Sequence, residues 1–105
     1  MADTTAAEVA TVTLTADTNH SIELTGSGRT VELTHHGDAT EAVYYNSYSD
    51  EPVDELTGGG AEEERVLLAG ERLVVGSRRA AGDSVFFELF SAGTPTVTLE
   101  LFQNN

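Results

Sequence analysis

Thr96-Val97-Thr98-Leu99-Glu100-Leu101-Phe102 alternates apolar and polar residues over seven positions, and Thr11-Val12-Thr13-Leu14-Thr15 does the same near the other end of the chain. Successive side chains of a strand point to opposite faces, so this period of two marks strands with one face in a core and one in water. β-Branched residues dominate both stretches, which suits a pleated, half-buried surface.

Working outward, similar blocks recur between turn signals. A first strand is expected near residues 8–15, with Ala10, Val12 and Leu14 facing inward. Ala16-Asp17-Thr18-Asn19 reads as a turn. His20, Ile22 and Leu24 form one face of a second strand, and Gly26-Ser27-Gly28-Arg29 offers a reversal after it. Val31, Leu33 and His35 line a third strand, and His36-Gly37-Asp38 turns it. A fourth covers residues 42–48, aromatic and β-branched enough to be half buried. Arg65-Val66-Leu67-Leu68, a tight Ala69-Gly70 reversal and Glu71-Arg72-Leu73-Val74-Val75 come next. The 84–90 stretch is apolar on both faces, as a central strand should be.

About eight short strands at close, regular spacing predict an all-β, single-domain antiparallel β-sandwich, jelly-roll-like or Ig-like. No helix is expected. Residues 1–8 are small and polar and are expected to form a flexible arm, leaving residues 9–105 as the sandwich domain. Residues 49–63 hold Asp50, Glu51, Asp54 and Glu55 with Pro52 and Gly58-Gly59-Gly60, and read as a long acidic loop.

At 105 residues the chain has the length of one domain and buries roughly two-thirds of its unfolded surface. The absence of cysteine excludes disulfides and thiolate nucleophiles or ligands. No stretch approaches the ~20 apolar residues that cross a bilayer as a helix. Met1-Ala2-Asp3-Thr4-Thr5 lacks the basic and apolar regions of a secretory signal, so synthesis in the cytoplasm is expected.

Eighteen acidic residues oppose five basic ones, all arginine, for a net charge of −13. Such a chain is repelled by phosphate backbones and by anionic membranes, so neither nucleic acid nor membrane is an expected partner. The acidity has three readings: a soluble surface, a high-salt halophilic cytoplasm in which self-repulsion is screened, or a specific cation site.

The chemistry-bearing residues do not assemble into a motif. His35 and His36 are adjacent and point to opposite faces of a strand, and His20 meets His35 only if the second and third strands pair. The acidic loop lacks the ligand spacing of a calcium-binding EF-hand loop. Paired carboxylates for sugar hydrolysis require a cleft with aromatic platforms, whereas the chain has no tryptophan. No Gly-x-Ser-x-Gly elbow or phosphate loop is present. No enzyme activity, cofactor or metal is therefore expected. Tyr44, Tyr45 and Tyr48 combine apolar rings with polar tips and are candidate interface residues, or else core filling. Arg78 and Arg79, adjacent in a negative chain, are candidates to clamp a partner's carboxylate, or else decorate a loop.

Three stretches carry a resemblance. They are Val12-Thr13-Leu14-Thr15-Ala16-Asp17-Thr18, Glu41-Ala42-Val43-Tyr44-Tyr45, and Leu89-Phe90-Ser91-Ala92-Gly93-Thr94-Pro95-Thr96-Val97. In that order they resemble small virion proteins of tailed viruses that infect high-GC bacteria and archaea, haloarchaea included. Those proteins are compact β-sandwiches with a threonine-rich first strand and a Gly-x-Pro turn before the last. The acidic middle loop and the absence of lysine depart from that pattern. The resemblance implies a capsid decoration or minor capsid protein, located on the virion exterior and made in the host cytoplasm. It implies the major capsid protein as partner, a homo-oligomer (a trimer foremost), and an arm that orders on docking. A tail, baseplate or spike component is the alternative within the same particle. A cellular calcium- or carbohydrate-binding β-sandwich is the alternative outside it.

Overall fold

A computed structural model describes residues 4–47, 64–76, 80–81 and 83–102. Two sheets pack face to face. The first has the order β1 (Thr4–Ala7), β3 (His20–Thr25), β9 (Ser84–Ser91), β5 (Val43–Asn46), β6 (Glu64–Leu67), with the short β8 (Ala80–Ala81) on β9. The second has the order β2 (Val9–Thr13), β10 (Thr96–Phe102), β4 (Thr30–His35), β7 (Arg72–Gly76). Every pairing is antiparallel except β1 with β3, which is parallel.

Setting β1 and β8 aside, eight strands remain. Counted along the chain, they lie 1-8-3-6 in one sheet and 2-7-4-5 in the other. That is the winding of a jelly roll, so of the two expected sandwich types the chain adopts this one.

The alternation in the sequence builds the core. Ile22 and Leu24, Val31 and Leu33, and Val97, Leu99 and Leu101 all point between the sheets and are buried. Val85, Phe87 and Leu89 do the same from β9, flanked by β3 and β5 as a central strand. Each such side chain contributes about 1.5–3 kcal/mol by leaving water. Two glycines sit in connections that cross between the sheets: Gly37, after β4, and Gly70, between β6 and β7, both have φ +77°, a left-handed conformation that side chains resist. Gly70 sits in the turn closed by the Glu71 amide donating to the Leu68 carbonyl at 2.9 Å.

Two expectations are corrected. Residues 4–7 are no free arm: they form β1, paired from Thr4↔Ile22 to Ala7↔Thr25 along β3. Glu8, at φ +66°, then turns the chain across to the other sheet, and its amide and carbonyl bond Thr25 and Leu101. The Gly26–Arg29 segment is also no hairpin. It carries the chain from β3 in one sheet to β4 in the other, so His20 and His35 lie on unpaired strands. The acidic loop expected at 49–63 falls outside the described residues.

Candidate functional site

The outward face of the four-stranded sheet is a threonine array. Cross-strand register places Thr13 beside Thr96, and Thr98 between Thr11 and Thr34. The hydroxyls of Thr11 and Thr98 lie 2.9 Å apart, and those of Thr13 and Thr96 3.0 Å apart. His36, exposed at the strand end, places Nε2 2.7 Å from the Thr98 hydroxyl. The Thr96 amide and hydroxyl donate to the two Asp38 oxygens at 2.9 and 2.7 Å. Those two bonds, aided by the nearby His36, hold the Asp38 carboxyl below its ordinary value of 3.8. The array binds its own turn into place and leaves a hydroxyl-rich face.

The other two histidines are structural. His35 is buried; its Nδ1 accepts from the Gly37 amide at 2.9 Å, so Nε2 carries the proton and donates to the Glu41 carbonyl at 2.9 Å. His20 accepts the Thr15 amide on Nε2 at 2.9 Å. As the alternation implies, His35 and His36 face opposite sides. Among the described residues no three His, Asp or Glu side chains converge as a metal would need.

Glu88 is the polar group that the sequence pattern hid. It is 2 % exposed, in the middle of β9, and points away from the core between Phe87 and Leu89. Its Oε1 accepts from Asn19 Nδ2 at 2.7 Å and from Ser21 Oγ at 2.6 Å. Ser21 and Asn46, the latter also buried, flank it in register on β3 and β5. A carboxylate this enclosed is tolerated because donors meet it. The only sequence cue was a lone acid inside an otherwise apolar run.

The candidate interface residues separate. Tyr44 is half-buried on the outward face of the six-stranded sheet, between Phe90 and Val66 in register. Tyr45, the next residue, points inward and is part of the core. Tyr48, Arg78 and Arg79 lie outside the described residues.

The two flanks of the sandwich were not foreseen as surfaces. One flank is formed by the end strands β1 and β2, the other by β6 and β7. Among the described residues the exposed large apolar side chains are Val9 on β2, Val66 and Leu68 on or beside β6, Val74 on β7, and Phe102 on β10, so four of these five sit on flank strands or at their ends. A cleft of about 150 Å³ opens between the β6 and β7 edges, lined by Tyr45, Ser47, Arg65, Val75 and Gly76. That is well under the roughly 300 Å³ of a typical small-molecule site.

Comparison with models of protein families, with curated proteins and with solved structures found no match.

Proposed function

We propose that this chain is a virion structural protein of a tailed virus, a capsid decoration or minor capsid protein seated on the outer surface of the shell. It works by adhesion, bridging major capsid subunits as a small homo-oligomer. The observation that carries the reading is the jelly-roll winding, an architecture shared by viral capsid domains and by lectins and cupins. The likeness is one of fold and is joined to the sequence resemblance described above. Charge supports the exterior: at −13 the chain is repelled by packaged DNA. Its hydroxyl-rich face and apolar flanks suit broad contacts with other protein surfaces more than enclosure of a small molecule.

Cosedimentation with shells assembled from the major capsid protein of the same virus tests this. Stoichiometric binding supports the reading, and immunogold on whole particles should label heads. Gold confined to the tail overturns the decoration role in favour of a tail component. Absence of binding to shells and particles alike overturns the virion reading altogether.

A further inference from the structure

We infer that the two flanks of the sandwich are complementary halves of one self-association surface, so that the β6–β7 flank of one copy docks on the β1–β2 flank of the next. The inference rests on the proposed oligomeric virion protein and specifies which surfaces assemble it.

Strand direction is the first reason. In the four-stranded sheet three antiparallel steps, β2–β10–β4–β7, leave β7 antiparallel to β2. In the other sheet β1 runs parallel to β3, and the steps β3–β9–β5–β6 leave β6 antiparallel to β1. Two copies related by a rotation therefore meet with both layers correctly directed for antiparallel addition. Neither layer needs to invert.

Backbone bonding is the second. The His35 amide donates to the Glu71 carbonyl, and alternation along that ladder assigns Leu73 and Val75 to bonds with β4. The amide and carbonyl groups of Arg72, Val74 and Gly76 consequently point outward. On the opposite edge the Leu101 amide donates to Glu8 and the Leu14 amide to Pro95, so Ala10 and Val12 bond β10 while Val9, Thr11 and Thr13 point outward. Each edge thus presents three outward residues at the same spacing. Pairing Val74 with Thr11 of the neighbour aligns all five residues of β7 with all five of β2.

The core is the third. Its partly covered apolar side chains are Ala6, Val12, Leu73 and Val75, and all four lie on flank strands. In this register Leu73 comes beside Val12 and Val75 beside Ala10 of the neighbour, which continues one core into the next. Exposed Val9 faces Gly76, where no side chain obstructs it, and lies diagonal to exposed Val74.

A head-to-tail contact of this kind closes into a ring when the rotation permits. It also covers sheet edges whose described strands carry no proline or lysine.

Light scattering on size-exclusion fractions of the full chain tests the inference, with Val74→Pro and Thr11→Pro as variants. Each removes an outward N–H and spares the ladder within its own sheet. Val74→Lys and Thr11→Lys serve as a second pair if proline unfolds the chain, and circular dichroism verifies folding. The wild-type chain should be a discrete oligomer, and each variant alone a monomer at the same concentration. A one-to-one mixture of a β7-edge and a β2-edge variant should give a dimer and nothing larger, because one intact edge of each kind remains. Phe102→Ser, on the inner strand β10, should leave assembly unchanged. A monomeric wild-type chain in both low salt and about 1 M salt, where the Debye length is ~3 Å, overturns the inference. So does a Thr11 variant that still assembles while the Val74 variant does not, which would indicate β7 pairing with β7. Shell binding by a monomer would sink this inference and leave the virion reading standing; an oligomer that ignores shells would do the reverse.

Discussion

Glu88 is the residue whose replacement separates a buried polar network from an incidental surface acid. Its Oε1 accepts both Asn19 Nδ2 and Ser21 Oγ, and the side chain is almost wholly enclosed. Glu88→Ala removes the acceptor of two hydrogen bonds, each contributing about 0.5–1.5 kcal/mol, or about 1.5–3 kcal/mol where the acceptor is charged. A total loss of about 3–5 kcal/mol is expected once the vacated volume is included. Glu88→Gln keeps a carbonyl oxygen at the position that takes both bonds and forfeits only their charge assistance, so a loss of about 1–2 kcal/mol is expected. Urea titration followed by far-ultraviolet circular dichroism measures both, since the chain has no tryptophan to report. In thermal melts each kcal/mol should appear as about 4–8 °C. An alanine variant within about 0.5 kcal/mol of wild type, the range of an ordinary surface substitution, would refute the reasoning. Equal losses for alanine and glutamine would also refute it, since the distinction rests on one retained oxygen.

The remaining predictions concern a turn, a carboxylate and the net charge. Gly70→Ala meets no neighbouring atom but must hold φ +77°, so it should cost roughly 1–2 kcal/mol in urea titration; an unchanged midpoint would show that the turn relaxes freely. Asp38 has its folded-state value depressed by its two bonds from Thr96. Its stabilising contribution is therefore complete above the ordinary value of 3.8 and is lost as pH falls through the folded value. Asp38→Asn should be less stable than wild type at neutral pH, with the two stabilities converging in acid; a difference that persists unchanged below pH 3 would contradict the assignment. If the −13 charge belongs to a halophilic setting, the melting temperature should climb by several degrees from low salt to about 1 M salt, and a flat response would exclude that reading.

Much of the architecture was legible because its cause is local. Ile22 and Leu24, Val31 and Leu33, and Val97 and Leu99 alternate with polar neighbours, and all six are buried where that alternation places them. The apolar run at 84–90 likewise announced a central strand. What escaped has tertiary causes. Thr4-Thr5-Ala6-Ala7 has no pattern of its own and becomes a strand because β3 offers an unpaired edge. The Gly26–Arg29 segment is chemically suited both to a hairpin and to an arch between sheets, and only the strand order distinguishes them. Of the adjacent tyrosines, period two required one inside and one outside, but whether Tyr44 or Tyr45 turned inward depended on the register of β5 with β9. Glu88 was invisible because its partners, Asn19 and Ser21, are distant in sequence. The flanks could not be seen before the sheets had ends.

The claim of adhesion to a capsid is tested most directly by one binding measurement. The purified chain, titrated onto mature shells that lack it, should bind saturably, at a fixed number of copies per shell, and should raise the temperature at which those shells rupture. Binding that never saturates, or shells that rupture at the same temperature with and without the protein, would contradict the account.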